Sequence, residues 1–565
     1  MQIQPQFQNL GTLFAGRLFR IPEYQRAYSW QSKQRQDLFL DIKKVHTLGN
    51  DSDHFMATIV GLRRKKRSIA AVEFIEIEVV DGQQRLTTLS ILLKATSKQL
   101  DRSKKIETKR AEEIDGLLVK GDDLSLLLLQ TNHDSSHIFV DYLREGSVPV
   151  EQKIVTAADR NLAKAIAECE QFVKGWPEST GGTLIDLLGI IRNRLTVIFH
   201  EIEDEALVYT VFEVLNSRGL DVTWFDKLKS LLMAMLFEHC KDGTRSTAIN
   251  ELHGLWTEIY RTIGLQQNLN RETLRFAATL RSPRSPNRPI DEERAVQLLT
   301  ELCSNNPKKV IDCTKWLLKV AEAEDRLLAS HRLRAATQIV QARLVAIAVL
   351  LRRLPQQEEE TVLRRWENVT FRIYSLAGRD ARTKVGDYVR LAWRITNENL
   401  SAALILEELK KVGDDFAIKD VVQKLANSDC YQGWTEALRY FFFRYEEQLA
   451  QNAGQKLNES QWNRIWADEP SRSIEHIRPR SKGSEDLATK AIFVHRLGNL
   501  MMLPPGVNSK LQDDDPRDKA DSYESCGLLL AIEVAKLVKK GKWDRAAVEK
   551  REKELIKWAT DEWRD

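Results

Sequence analysis

The hydrophobic and polar positions in the N-terminal part of the chain switch between strand and helix patterns. Residues 54–62 and 72–80 are rich in β-branched and aromatic side chains, and the second run alternates apolar with acidic residues. This pattern predicts two strands, with the basic residues 63–67 at the tip of a hairpin between them. From Leu86 onward leucines recur at helical spacing, so residues 81–85 are predicted to join a strand to a helix.

Beyond about residue 100 the spacing is mostly helical, as in residues 157–174 and 222–239. Residues 194–202 interrupt it with one more strand pattern, and the proline-containing residues 281–290 predict a break. Amphipathic helices follow until a second polar break at residues 451–456. We therefore predict a mainly α, multidomain chain, divided into residues 1–235, a helical connector at residues 236–455 and a last domain at residues 456–565.

Composition narrows the class of protein only moderately. Of the 565 residues, 42% are hydrophobic and 29% are charged, as in ordinary globular proteins. The net charge of +4 is nearly balanced, so a nucleic-acid surface would need local clustering of basic residues. We find no signal-peptide pattern, no apolar run near the ~20 residues that span a bilayer, and no Cys-x-x-Cys pair among six cysteines. These features predict a cytoplasmic protein with reduced thiols and no membrane contact.

Three motifs in the first domain combine polar residues with apolar flanks. The first, residues 21–30, reads IPEYQRAYSW, in which Tyr24, Gln25 and Arg26 offer a stacking face, an amide and a guanidinium. Aromatic residues near a terminus more often belong to a hydrophobic core, so that alternative stays open.

The second motif, residues 81–89, reads DGQQRLTTL. Gly82 would allow close approach of a ligand to the backbone, and the N-terminus of the following helix would attract an anion. Arg85 could hold a phosphate through two hydrogen bonds, and Asp81 could bind a metal or position a water. The alternative is a tight turn in which Arg85 pairs with Asp81.

The third motif, residues 215–219, reads LNSRG and interrupts two helical stretches. Asn216 and Arg218 would converge there on a ligand. The alternative is a helix-ending turn at Gly219.

Together these three motifs resemble the N-terminal domain of GmrSD-type restriction enzymes. The resemblance implies a small α+β, ParB/sulfiredoxin-like module that binds and hydrolyses an NTP, with GTP or ATP expected. It also implies that Asp81 and Arg85 are catalytic. The nucleotide-binding residues that it implies are Tyr24, Gln25, Arg26, Asp81, Gly82, Gln83, Gln84, Arg85, Asn216 and Arg218.

The last domain contains SIEHIRP at residues 473–479, LGNLMML at 497–503 and GVNSK at 506–510. This order suits HNH chemistry, in which a histidine at the end of a short strand takes a proton from water; here that residue is His476. Asn499 would tie the intervening loop and orient the imidazole. Asn508 would supply an oxygen to one Mg²⁺ (or Mn²⁺), with Glu475 as a second metal ligand.

These segments resemble the nuclease half of the same family, which implies a ββα-metal (His-Me finger) fold. Arg478 and Arg480 depart from the usual residues around the proline, and we predict that they contact DNA, with sequence drift as the alternative. Lys510 and Lys519 are further predicted DNA contacts, although Lys519 lies beside acidic residues with which it could pair. His495 is a spare catalytic candidate, with an ordinary structural role as the alternative.

We expect an anti-phage, modification-dependent DNA endonuclease that cuts or nicks foreign DNA under control of NTP binding or hydrolysis. Because helical connectors often mediate dimerisation, a homodimer is one expectation for the oligomeric state. Two alternatives remain: a nucleotide-sensing regulator whose nuclease half is vestigial, and a DNA-binding partner subunit of another nuclease.

Overall fold

The computed structural model describes residues 4–22, 25, 27–49, 53–69, 72–120, 125–126, 128–130, 136–203, 223–264, 267–336, 339–482 and 493–564. The chain divides into two compact units, Met1–Arg275 with Asp291–Ala321 and Phe276–Ile290 with Glu322–Asp565. Helices make up most of the described residues, which confirms the prediction of a mainly α chain with a small sheet.

The strands of the first unit are β1 (Gln4–Asn9), β2 (Arg17–Ile21), β3 (His54–Ile69), β4 (Val72–Asp81), β5 (Val119–Lys120), β6 (Ser125–Leu126), β7 (Leu128–Gln130) and β8 (Leu195–Ile202). In the described part of the chain, six of them form one mixed sheet in the order β1-β8-β3-β4-β2-β7. β4 pairs antiparallel with β3 and parallel with β2. This places the end of β4, where the second motif begins, inside the sheet and not at its edge.

The helices that begin in the first unit are α1 (Leu10–Phe14), α2 (Ser32–Thr47), α3 (Gln83–Gln99), α4 (Lys105–Leu118), α5 (Ser136–Glu145), α6 (Ala157–Lys174), α7 (Trp176–Thr180), α8 (Leu184–Gly189), α9 (Trp224–His239), α10 (Asp242–Ile263), α11 (Gln267–Arg281), α12 (Glu292–Cys303) and α13 (Pro307–Ala329). α3 is buried along nearly its whole length and contacts α4 and α6. Its leucines therefore form the centre of the first unit's hydrophobic core.

The basic residues 63–67 lie inside β3 and not at a hairpin tip, so that prediction is wrong. Arg63 pairs with Glu201 at 3.1 Å, and Arg64 pairs with Glu78 at 2.8 Å. Because acidic residues of the neighbouring strands face these cations, the charged run continues the strand instead of ending it. The predicted strand at residues 194–202 and the helix at 157–174 are confirmed by β8 and α6.

The second unit contains the remaining helices and a two-stranded sheet. The helices are α14 (His331–Ala336), α15 (Val340–Arg352), α16 (Gln356–Phe371), α17 (Val385–Asn397), α18 (Ala402–Gly413), α19 (Ile418–Val422), α20 (Thr435–Asn452), α21 (Glu459–Ala467), α22 (Pro470–Ser473), α23 (Pro505–Leu511), α24 (Ala520–Ser525), α25 (Leu529–Lys540) and α26 (Arg545–Glu562). The strands are β9 (Ile474–His476) and β10 (Leu500–Met502), which pair antiparallel with His476 opposite Leu500.

A buried ion-pair network joins helices of the predicted connector to the last helix of the chain. Arg444 of α20 pairs with Glu367 of α16 at 2.8 Å, and both side chains are fully buried. Arg444 also contacts Glu562 of α26. Because the guanidinium and the carboxylates are shielded from water, each charge is stabilised by its ion-pair partners and not by solvent. The network therefore fastens α26 to α16 and α20 within the second unit.

Both predicted breaks are confirmed, since residues 282–291 separate α11 from α12 and α20 ends at Asn452. In the part of the chain that the structure describes, no helix combines the length and apolarity needed to cross a membrane.

Candidate functional sites

The second motif forms a turn between β4 and α3, as its sequence predicts. β4 ends at Asp81, Gly82 has φ +96°, and α3 begins at Gln83. A Cβ atom on Gly82 would lie 2.9 Å from Cγ1 of Ile59. Both the positive φ and the lack of space therefore require glycine at this position.

Buried glutamines tie the first motif to this turn. The Gln84 side chain accepts a hydrogen bond from the Ser29 backbone N–H at 2.9 Å and donates to the Ala27 carbonyl at 3.2 Å. The Gln25 amide donates to the Val80 carbonyl at 2.6 Å. These two predicted nucleotide-binding residues thus hold the two motifs together, which positions the turn relative to residues 25–30.

Arg85 lies partly buried on the first turn of α3. Its guanidinium carbon is 6.0 Å from the centre of the Trp30 ring. Burial lowers the pKa of Arg85, while the charge of Asp81 acts in the opposite direction. The electrostatic coupling of Asp81 and Arg85 fits the tight-turn alternative, and it also leaves a cation beside the helix N-terminus where an anion would bind.

Four of the predicted nucleotide-binding residues, Tyr24, Arg26, Asn216 and Arg218, lie outside the described residues. Gln83 is described and buried in the first turn of α3. The described part of the candidate nucleotide site therefore consists of residues 81–85, Gln25 and the segment that they hold.

The first unit also contains an open cavity of about 980 Å³. Residues 27–31 form one side, and the first turns of α6, α9 and α11 contribute to the others. None of the predicted nucleotide-binding residues that the structure describes lines it. Sequence reasoning missed this cavity, because its walls come from segments far apart in the chain.

In the second unit, His476 at the end of β9 contacts a second histidine. His476 Nε2 lies 3.0 Å from His495 Nδ1. The Tyr431 ring stacks on His495 with a centroid distance of 4.9 Å and an interplanar angle of 10°, and meets His476 edge-on at 4.7 Å. The Arg480 guanidinium lies 5.5 Å from the Tyr431 ring centre. Three rings and a cation therefore form one cluster.

The imidazole of His476 is uncharged at neutral pH. Burial, reinforced by His495, Arg480 and Lys519, lowers its pKa to about 3. Burial also lowers the pKa of His495. Because both rings are neutral, their shared hydrogen bond uses one N–H donor and one nitrogen lone pair. His476 can therefore take up a proton from a reacting group without first losing one.

Asn499 is fully buried, and every hydrogen-bonding position of its side chain is occupied. Nδ2 donates to the carbonyls of Arg478 at 3.1 Å and Val494 at 2.9 Å. Oδ1 accepts from the Arg478 N–H at 2.9 Å and from the Trp543 indole N–H at 3.0 Å. Asn499 thus ties the loop after His476, as predicted from the sequence, and is a positioning residue in this arrangement.

Glu475 points to the opposite face of β9 from His476, because successive strand residues alternate. Its Oε1 accepts hydrogen bonds from the Lys519 ammonium at 2.8 Å and the Tyr523 hydroxyl at 2.6 Å. The Lys519 ammonium also donates to the His476 carbonyl at 3.2 Å. Burial raises the pKa of Glu475, and Lys519 opposes that effect.

Of the two predicted metal ligands, Glu475 is occupied and Asn508 keeps its side-chain oxygen, so the pair as it stands does not form a divalent-cation site. Glu475 is occupied by Lys519, and a metal would have to displace that ion pair. Asn508 Nδ2 donates to the carbonyls of Arg472 and Ile474, which leaves its Oδ1 to face a cation. No group of three or more His, Cys, Asp or Glu residues within the described ranges could hold a metal ion.

The predicted DNA contacts fall into two groups. Arg480 and Lys510 are exposed and Arg478 is half-buried, so phosphates could reach them. Lys519 is fully buried inside the motif. The prediction that Lys519 contacts DNA is therefore wrong. Its ammonium pairs with Glu475 and donates to the His476 carbonyl instead of facing solvent.

Comparison with known families decides the class of protein. Residues 10–233 match the N-terminal domain of the GmrSD restriction endonucleases, and residues 416–558 match their C-terminal domain. The chain belongs to the GmrSD restriction endonuclease family. No curated protein matches it. As a GmrSD-family restriction endonuclease, it is expected to act on DNA.

The GmrSD C-terminal match begins at residue 416 and therefore includes Tyr431, which precedes the predicted last domain. Sequence reasoning missed Tyr431, because a single tyrosine between two helices carries no motif. It also missed Tyr523 and Trp543, whose hydrogen bonds to Glu475 and Asn499 appear only after folding.

Proposed function

We propose that this GmrSD-family endonuclease cuts or nicks DNA with His476 as the general base. The observation that carries the proposal is the position of the His476 imidazole at the end of β9, where its Nε2 lies 3.0 Å from His495 Nδ1. Nδ1 is then the nitrogen that takes a proton from the attacking water. In this proposal β9, β10 and α23 form the ββα-metal (His-Me finger) motif.

The hydrolytic step is a displacement at phosphorus. The water oxygen forms a bond to phosphorus, its proton passes to His476 Nδ1, and the bond to the 3′ oxygen breaks as that oxygen takes up a proton from solvent water; His476 then returns its proton to solvent. The exposed Arg480 and Lys510 lie in the same motif and would offset the phosphate charge. A requirement for Mg²⁺ or Mn²⁺ belongs to the proposal, and binding of the ion by Glu475 would need the ion pair with Lys519 to open.

We further propose that the N-terminal domain is ParB/sulfiredoxin-like and that an NTP bound there, GTP or ATP, controls cleavage of modified phage or other foreign DNA. The turn at residues 81–85 supports nucleotide binding, because the N-terminus of α3 follows Gly82 directly and Arg85 adds a cation on its first turn. Asp81 and Arg85 would act on the phosphates.

Plasmid nicking by the purified chain tests the proposal. The wild type is compared with His476→Ala and with the control His239→Ala, using Mg²⁺, Mn²⁺ or EDTA, with and without GTP or ATP, on modified and unmodified DNA. We expect His476→Ala to lose at least about a hundredfold in rate, because general-base catalysis contributes that much. Equal cutting by wild type and His476→Ala would overturn the assignment of the base. NTP hydrolysis without cutting would support the regulator alternative.

A further inference from the structure

The cavity of about 980 Å³ lies beside the predicted nucleotide turn. Trp30 belongs to both features, since it lines the cavity and its ring stands 6.0 Å from the Arg85 guanidinium. Ligand sites commonly measure about 300–1,000 Å³, so this cavity has room for a nucleotide. A ligand with phosphates at the turn could therefore extend into it.

Aromatic side chains form much of the cavity wall. The aromatic residues that line it are Tyr28, Trp30, Trp224, Phe225 and Tyr260. Such walls favour a flat ring system, because stacked and edge-on ring contacts add to the energy of apolar burial.

Three residues of the wall carry a buried polar atom without a hydrogen-bond partner among the described residues. Asp159 is 1% exposed, and its Oδ2 caps α6 by accepting hydrogen bonds from the N–H groups of Val155 at 2.9 Å and Thr156 at 2.6 Å. Its Oδ1, Asn270 Oδ1 and Trp30 Nε1 are buried and have no hydrogen-bond partner in the part of the chain described. An unsatisfied buried carboxylate oxygen is costly, so a ligand that donates to it would be stabilised.

The charges indicate which end of a nucleotide the cavity accepts. Of the basic residues of its wall, Lys153 pairs with Asp141 and Arg271 with Glu292, and Arg261 and His137 also have interaction partners. The carboxylate of Asp159 would repel a phosphate but accept an N–H or O–H group. The nucleoside end therefore fits the cavity, and the phosphates fit the turn at residues 81–85.

We propose that the cavity binds the guanine nucleoside part of the NTP. The two unpartnered acceptors, Asp159 Oδ1 and Asn270 Oδ1, match a base with two donor groups, which guanine offers at N1 and N2, and Trp30 Nε1 matches an acceptor on its edge. This inference rests on the proposed binding of an NTP by the N-terminal domain. It adds a base-recognition site to the phosphate turn.

Asp159→Asn tests the site with little risk to the fold. Asparagine can keep the cap, because its oxygen replaces Oδ2, and its NH₂ then replaces the acceptor in the cavity with a donor. Asp186→Asn is a matched control, since Asp186 forms the same capping box with Thr183 on α8 and does not line the cavity. Melting temperatures of both variants show whether the cap survives.

Calorimetric titrations without divalent ions measure binding of guanosine, adenosine, GTP, ATP and tripolyphosphate. For the wild type and for Asp186→Asn we expect guanosine to bind about tenfold or more tightly than adenosine, because an extra charged hydrogen bond is worth that much. Asp159→Asn should lose this preference and weaken GTP binding by about tenfold, with tripolyphosphate binding unchanged. Trp30→Phe should also weaken guanosine binding, whereas Trp462→Phe, which alters an equally unpartnered indole elsewhere, should not.

Each contrary result has a separate meaning. Unchanged guanosine and GTP binding in a folded Asp159→Asn overturns the cavity assignment and leaves the proposed NTP site intact. Equal affinity for guanosine and adenosine in the wild type overturns the choice of guanine. If Asp159→Asn loses binding of duplex DNA while GTP binding is unchanged, the cavity does not bind a free nucleotide. It then binds a base of the DNA instead. Failure of the wild type to bind any triphosphate, while guanosine still binds, contradicts the proposed function but not the cavity.

Discussion

His476 Nε2 and His495 Nδ1 lie 3.0 Å apart, within direct hydrogen-bonding distance. If His476 accepts a proton through Nδ1, that nitrogen must carry the lone pair, so Nε2 carries the hydrogen and donates it to His495 Nδ1. His495 then has its own hydrogen on Nε2. In this proposal the tautomers of the two histidines are therefore coupled, and the Tyr431 ring stacks on His495.

The first prediction concerns this tautomer. His495→Ala should lower kcat for DNA cleavage by about tenfold or more with little change in KM, because an unheld imidazole samples unproductive orientations. His495→Asn should restore part of the rate, since an amide oxygen can accept the Nε2–H. Single-turnover cleavage measures both variants. Identical rates for the alanine and asparagine variants would contradict a hydrogen-bonding role.

The second prediction concerns the buried pair of Lys519 and Glu475. Lys519→Met should lower the free energy of unfolding by about 3–5 kcal/mol, because it leaves a buried carboxylate without its cation. Adding Glu475→Gln should recover part of that loss. Urea denaturation of the two single variants and the double variant measures the coupling.

The control for this pair is Lys539→Met, which removes a solvent-exposed ion pair with Asp521 and should change stability little. If Lys519→Met lowered the free energy of unfolding no more than Lys539→Met, the buried pair would not stabilise β9.

The third prediction concerns pH. The pKa of His476 falls from 6.5 to about 3 in the folded chain, so between these values the unfolded chain binds a proton that the folded chain does not. The free energy of unfolding should therefore fall as pH falls through this window, by at most about 1.4 kcal/mol per pH unit from this group. His476→Gln, which cannot titrate, should show a shallower dependence between pH 6.5 and pH 5 in urea denaturation. Parallel curves would contradict the lowered pKa.

The fourth prediction concerns the turn before α3. Gly82→Ala should destabilise the chain by about 2 kcal/mol, because alanine disfavours positive φ and its Cβ would press on Ile59. Gly181→Ala is a matched control with φ +71° and open space around the new Cβ. It should cost about 1 kcal/mol for backbone strain alone. Thermal unfolding measures the loss of stability in Gly82→Ala and Gly181→Ala. Equal losses would mean that Ile59 shifts to make room for the new Cβ.

Local pattern predicted most of the elements that carry the candidate sites. The change of periodicity after Val80 located the turn at residues 81–85, and the HNH-like order of motifs placed His476 at the end of a short strand. The exception was the basic run at residues 63–67, where polar composition suggested a loop but acidic partners on β4 and β8 extend the strand. Pairing across a sheet depends on both strands, so one strand's composition was insufficient.

The sequence by itself determined the helical class, the two breaks and the family, because periodicity, proline content and contiguous motifs are all encoded over short stretches of chain. Only the tertiary structure decided the partners of the site residues. Tyr431 stacks on His495, Lys519 pairs with Glu475, and Asp159 lines the same cavity as Trp30. Each of these contacts joins residues far apart in sequence, and which of many possible partners a side chain meets is set by packing of the whole unit.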